Sequence, residues 1–191
     1  MKKIGLFFGS FNPIHIGHLI IANFMATQTD LNEVWFVVSP HNPLKPKATL
    51  ARDRERLHMV QLAIESNHHL KVSDVEFYLP KPSYTIDTLA HLKEKYPNYK
   101  FILIMGGDNL ATINKWKNYE LILQNYPIYV YKRPTYDISA YANHPSVSVF
   151  DVPLMEISAT YIRNCIAANK SIQYLVPDEI FHYISGSNMY K

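Results

Sequence analysis

The sequence predicts an α/β fold, a doubly wound parallel sheet, and three observations carry that prediction. A short apolar run, Ile4 to Phe8, leads into a glycine-containing turn and then a breaker-poor stretch of helical spacing. A second apolar run, Glu33 to Val38, follows so closely that the two runs and the helix between them form a right-handed parallel unit. A third, Lys100 to Met105, ends in Gly106-Gly107-Asp108, and open α/β sheets bind ligands at such strand ends.

The first junction holds the densest chemistry. In Gly9-Ser10-Phe11-Asn12-Pro13-Ile14-His15-Ile16-Gly17-His18, Gly9 allows close backbone approach to a ligand and Asn12-Pro13 turns the chain. The helix that begins there presents free N–H groups and a positive dipole end, which suits phosphate. His15 and His18, three apart, share a face of its first turn and add cationic or hydrogen-bonding groups, and Gly17 leaves room against the helix. The chain has nine histidines, so two of them three apart carry little weight without that context. A metal pair would need a carboxylate or cysteine beside them, and none is adjacent.

Past the helix Leu19 to Ala26 and the second strand comes a proline-rich loop, Ser39 to Lys47, in which Lys45 is a candidate partner for a triphosphate. Ala51 to Glu65 reads as a helix with Leu57, Val60 and Ile64 on its inner face. Its first turn alternates Arg52, Arg54 and Arg56 with Asp53 and Glu55, the pattern of a solvated helix start. Leu70 to Ser73 is a strand, and Asp74 to Pro82 a long irregular connection. Ser83-Tyr84-Thr85 opens a helix carrying Ile86, Leu89, Leu92 and Tyr96 inward, with Ser83 or Thr85 as its N-cap. Such a helix end attracts carboxylates as well as phosphates.

After the central strand, Asp108 suits ribose hydroxyls, and Trp116 offers an aromatic face that can stack on a ring, although tryptophan also serves cores. Ile128 to Lys132 and Val147 to Val152 read as strands, with Arg133-Pro134 closing the first and a loop from Asp137 to Ser146 between them. In Ile157-Ser158-Ala159-Thr160-Tyr161-Ile162-Arg163, Ser158 caps a helix running to Ala168. Thr160 and Arg163 add a hydroxyl and a cation at that end, and together the three make a second anion site. Pro177 to Ser185 is a closing helix.

At 191 residues, one domain spanning 1–191 is expected. The single cysteine, Cys165, excludes an internal disulfide framework and fits a reducing cytoplasm. No apolar run approaches membrane-spanning length, and the first residues lack the features of a signal peptide. A net charge of +3 suits an anionic small molecule better than nucleic acid.

The motif His15-Ile16-Gly17-His18 in its strand–turn–helix setting resembles the signature of the HxGH nucleotidyltransferases, which is shared with class I aminoacyl-tRNA synthetases. Together with Ser83-Tyr84-Thr85, Gly106-Gly107-Asp108, Trp116 and Ile157 to Arg163, it resembles bacterial nicotinate mononucleotide adenylyltransferase nearly end to end. The resemblance implies a Rossmann-like nucleotidyltransferase fold and adenylyl transfer from ATP to nicotinate mononucleotide, giving deamido-NAD and pyrophosphate. It implies that His15, His18 and Arg163 are catalytic. Gly9, Ser10, Phe11, Asn12, Gly106, Asp108, Arg133, Ile157, Ser158 and Thr160 join them in binding ATP. Ser39, Lys45, Tyr84, Thr85 and Trp116 take the mononucleotide. Mg²⁺ is expected on the ATP phosphates, with no dedicated protein metal site. The expected partners are these two substrates, with no nucleic acid and no membrane, and homo-oligomerisation is left open.

Departures from the family pattern are small. Lys45 follows His41-Asn42-Pro43-Leu44 where the family's loop runs Pro-His-Lys. Phe8 stands where glycine is common, Ser10 replaces threonine, Asn12 replaces aspartate and Ala159 replaces a serine. Phosphopantetheine adenylyltransferase, a nicotinamide-preferring enzyme and a nucleotide- or RNA-binding module of the same fold are the alternatives. For adenylyl transfer the acceptor phosphate is already an anion at neutral pH, so the chemistry needs positioning and charge neutralisation but no general base.

Overall fold

Alternation of apolar side chains along buried strands builds two cores, one on each face of a single sheet. The computed structural model describes residues 1–40, 50–153 and 155–191. Within them, β1 (Lys2–Gly9), β2 (Glu33–Val38), β3 (Leu70–Ser73), β4 (Tyr99–Gly106), β5 (Ile128–Tyr131) and β6 (Val147–Phe150) pair in the order β3-β2-β1-β4-β5-β6. Every neighbouring pair is parallel. Strands buried on both faces read as continuous apolar runs, which is why β1 and β4 stand out in the sequence.

Along β4, Phe101, Leu103 and Met105 enter one core while Ile102 and Ile104 enter the other. The Ile102–Ile104 side is covered by α1 (Ile16–Gln28), α2 (Asp53–Ile64), α7 (Ala159–Ala167) and α8 (Asp178–Ser185), through residues such as Met25, Met59, Ile162 and Ile180. The other side is covered by α3 (Thr85–Lys95), α4 (Gly107–Leu110) and α5 (Tyr119–Asn125), through Leu89, Leu92, Leu110 and Ile122. Each such fully buried aliphatic stabilises the fold by roughly 1.5–3 kcal/mol. Strand order reverses between β1 and β4, so a crevice opens beyond their C-terminal ends.

The predicted doubly wound parallel sheet is the observed one. Corrections are local. The first helix starts at Ile16, three residues before Leu19, because His15 already takes the cap position. A short helix, α6 (Ser139–Ala142), lies inside the segment 137–146 read as loop, and a 3₁₀ turn at Val75–Phe77 interrupts the irregular connection. The fifth and sixth strands end at Tyr131 and Phe150.

Candidate active site

The site grows from the way the chain leaves β1. Within the chain itself Gly9 is already demanded there: a Cβ on it would lie 2.7 Å from the Phe11 ring. Phe11 holds a left-handed φ of 44° and buries its ring against Phe7 and Phe36. The loop is therefore folded back onto the core, with its backbone facing the crevice. Gly17 follows the same logic. A Cβ there would come within 3.1 Å of His15 Nδ1, so the room foreseen at this glycine is filled by the His15 imidazole.

His15 is the N-cap residue of α1, and its ring stacks on that of His18 with centroids 3.6 Å apart. The His15 backbone N–H donates to His18 Nδ1 at 3.3 Å. An imidazole that accepts at Nδ1 carries its proton on Nε2, so that nitrogen is His18's donor. His15 is buried, and burial, reinforced by the positive charge of Arg133, lowers its pKa from 6.5 to about 4. Of the two options raised for these histidines, His15 is thus a neutral hydrogen-bonding group at physiological pH.

From the opposite wall, α7 points its N-terminus at the same space. Ser158 caps it as expected, accepting from Tyr161 N–H at 3.1 Å. Arg163 folds back along the helix, donating from Nη1 to the Asn12 backbone carbonyl at 2.7 Å and from Nη2 to Thr160 Oγ1 at 3.2 Å. Two helix N-termini and a half-buried guanidinium therefore converge on one cavity of about 650 Å³. Gly9, Ser10, Phe11, Asn12, His15, His18, Arg133, Ile157, Ser158, Thr160 and Arg163 all line it.

Gly106 and Asp108 are not in that lining. Asp108 Oδ1 folds over Gly106, where a Cβ would come within 2.2 Å of it, and pairs with Arg133 Nε at 3.6 Å. The expected acceptor residues form a separate group at the start of α3. Lys117 ties them together: its ammonium lies 4.6 Å from the centre of the Tyr84 ring and 2.9 Å from Asp87 Oδ2, next in sequence to the half-buried Trp116. Neither Ser83 nor Thr85 caps α3. Tyr84 takes that position, Thr85 is the first helical residue, and the first intrahelical bond runs from Asp87 N–H to the Tyr84 carbonyl at 3.0 Å. Ser39 joins the two regions: its N–H donates to the Gly9 carbonyl at 2.9 Å, and its side chain hydrogen-bonds Glu76, which also accepts from Thr88 of α3. Lys45 lies outside the described residues.

Arg56 is the largest revision. Read as solvated, it is fully buried. Its guanidinium donates to the carbonyls of Ser10 (2.5 Å), Ser39 (2.8 Å), Pro40 (3.1 Å) and Ala51 (3.0 Å), and pairs with Asp53 at 2.8 Å. One side chain thus fastens the loop after β1 to the loop after β2. Glu76 is a second buried charge missed from sequence: Thr88 Oγ1 donates to it at 2.8 Å, and burial raises its pKa despite the hydrogen bonds from Ser39 and Thr88.

A family model described as cytidylyltransferase-like matches residues 6–165. Over 191 residues the chain is 56% identical to a Flavobacterium johnsoniae protein named "Probable nicotinate-nucleotide adenylyltransferase", covering 99% of each. The chain belongs to the nicotinate-nucleotide adenylyltransferase family. A member from Bacillus licheniformis carrying the same name is 35% identical over 191 residues, with 100% of both chains covered. Among solved structures, Plasmodium falciparum nicotinic acid mononucleotide adenylyltransferase complexed with NaAD matches with a TM-score of 0.84. That match covers 100% of this chain and 98% of the other at 21% identity, and it speaks for the fold.

Nucleotidyltransferases of this kind generally use a divalent metal. Among the described residues of this family member, no three His, Cys, Asp or Glu side chains gather as a metal site. Asp108, the acid beside the cavity, is engaged by Arg133. Such a donor set fits a cation that arrives on substrate phosphates, which needs few protein ligands.

Proposed function

We propose that the chain transfers the adenylyl group of MgATP to nicotinate mononucleotide, giving deamido-NAD and pyrophosphate in NAD biosynthesis. The observation that carries this reading is the convergence of His15, His18, Ser158, Thr160 and Arg163 on one cavity, in a chain 56% identical to a protein of that name. A phosphate oxygen of the mononucleotide attacks the α-phosphorus of ATP. The bond from that phosphorus to the bridging oxygen breaks, and pyrophosphate leaves with the electron pair.

Arg163 neutralises charge developing on the leaving group, His18 stabilises it by a hydrogen bond from Nε2, and His15 donates a hydrogen bond beside them. Gly9, Ser10, Phe11, Asn12, Ile157, Ser158 and Thr160 hold the triphosphate, while Gly106, Asp108 and Arg133 border the nucleoside. Mg²⁺ is the cation on the triphosphate. It enters as part of the substrate and screens the phosphate charges when bound. The nicotinate end lies at Tyr84, Thr85 and Trp116, with Ser39 and Lys45 towards the phosphate. The N–H groups of Thr85 and Ile86 precede the first bond of α3, and they suit a carboxylate. Residues 1–191 act as one domain in this reading, in the cytoplasm, where a buried free Cys165 is at home.

ATP labelled at the α-phosphorus tests the reaction. The label is expected in the dinucleotide, with one unlabelled pyrophosphate per turnover. Label appearing in inorganic phosphate or pyrophosphate would overturn attack at that phosphorus.

A further inference from the structure

Asn12 sits on the cavity wall with 4% exposure, and both of its polar ends are engaged. Its backbone carbonyl accepts from Arg163 Nη1 at 2.7 Å. Its side-chain Oδ1 accepts from Ala51 N–H at 3.0 Å and from the Tyr190 hydroxyl at 2.7 Å. Tyr190 is separated from Asn12 by 178 positions, so this contact is made only by the finished fold. The path back is built step by step: Ser187 Oγ donates to the Ile184 carbonyl at 2.9 Å and accepts from Met189 N–H at 3.1 Å. Tyr190 itself holds a left-handed φ of 65°, which an L side chain rarely adopts unless its surroundings enforce it. Burial pushes the phenol's pKa well up, so the hydroxyl remains a donor throughout the physiological range.

We propose that Tyr190 is a positioning residue for adenylyl transfer, its hydroxyl fixing Asn12 and, through the Asn12 peptide, the Arg163 guanidinium against the triphosphate. Arg163 has a long, rotatable side chain, and its fork is oriented by two acceptors, the Asn12 carbonyl and Thr160 Oγ1. The Asn12 peptide can rock if its amide loses the Tyr190 donor. A cation displaced by a fraction of an ångström then meets the leaving group less well. The inference rests on the adenylyl-transfer reading of this cavity. It assigns to residues 187–190 a part in catalysis beyond closing the core.

The test is Tyr190→Phe, which removes one hydroxyl and leaves the packing volume unchanged. With MgATP and nicotinate mononucleotide, kcat is expected to fall about tenfold, with the acceptor KM within about twofold of the unmodified protein. In an Arg163→Lys background, which lacks the oriented fork, the same change is expected to cost less than about twofold. Affinity for an ATP analogue with a methylene bridge between the α- and β-phosphates, read by calorimetry without turnover, is expected to weaken a fewfold. Wild-type kcat and analogue affinity in Tyr190→Phe would overturn the proposal, as would a lowered melting temperature with unchanged kinetics. Full additivity with Arg163→Lys would overturn it as well. Should the unmodified protein turn over no nicotinate mononucleotide, the reaction assignment fails, and the calorimetric comparison still decides whether Tyr190 governs the triphosphate site.

Discussion

The imidazoles of His15 and His18 lie one over the other, centroids 3.6 Å apart and planes 25° from parallel. Two rings at that distance would repel strongly if both were protonated, and burial together with the nearby Arg133 holds the His15 pKa near 4. Its contribution at neutral pH is a hydrogen bond, not a charge.

That assignment has a signature in stability. Above pH 6.5 His15 is neutral in both folded and unfolded chains. As pH falls from 6.5 towards about 4, the unfolded chain binds a proton that the native site refuses, so stability declines through that window. The loss attributable to this residue reaches about 3 kcal/mol near the bottom of the window. Denaturant unfolding at pH 7 and pH 4.5 checks it. The unmodified protein is expected to lose more stability between those values than His15→Gln does, and equal losses would contradict a buried neutral imidazole.

The leaving-group role of the other histidine is a matter of rate. His18→Ala and Arg163→Ala are each expected to lower kcat about 10²–10³-fold, with far smaller changes in the KM for nicotinate mononucleotide. Steady-state kinetics with either variant reads this directly. A His18→Ala protein turning over at the normal rate would remove His18 from the mechanism.

Arg56 leads to a prediction about folding. Arg56→Met leaves the carbonyls of Ser10, Ser39, Pro40 and Ala51 without their buried donor, at a cost of about 3 kcal/mol or more. Arg56→Lys retains the charge but cannot reach four carbonyls with one fork, so it falls between. Urea midpoints rank the three proteins, and an Arg56→Met protein as stable as the unmodified one would contradict the bonding described.

What was legible in the chain follows from where each signal resides. The turn after β1, the end of β4 and the start of α7 are contiguous stretches whose residue types declare their chemistry, and the fold places most of them on one cavity. Arg56 was illegible because its neighbours in sequence, Arg52 to Glu55, look solvated. Its burial is created by carbonyls from residues 10, 39 and 40 that only the sheet brings together. Gly9 shows an intermediate case. The need for a glycine was readable, but the Phe11 ring folded back over it at positive φ is a tertiary fact. The helix after Trp116, Tyr119–Asn125, is two turns long, too short for a periodic signal.

At the acceptor end, stacking and charge recognition should separate. Trp116→Ala is expected to weaken nicotinate and nicotinamide mononucleotides about equally, because a ring face does not distinguish a carboxylate from a carboxamide. Thr85→Ala should erode the preference only partly, since the backbone N–H groups at the start of α3 remain. Comparing KM values for both acceptors in each variant checks this. A Trp116→Ala protein that loses discrimination while keeping affinity for one acceptor would reverse these roles.

The acceptor itself is the central claim, and catalytic efficiency across an acceptor panel tests it most directly. With saturating MgATP, kcat/KM is to be measured for nicotinate mononucleotide, nicotinamide mononucleotide and phosphopantetheine. An amide facing the α3 N–H donors leaves groups unpaired at roughly 1–3 kcal/mol, so nicotinate mononucleotide is expected to lead nicotinamide mononucleotide by about tenfold or more. Phosphopantetheine is expected to release no pyrophosphate above background. Equal efficiencies for the two pyridine mononucleotides, or turnover led by phosphopantetheine, would contradict the account.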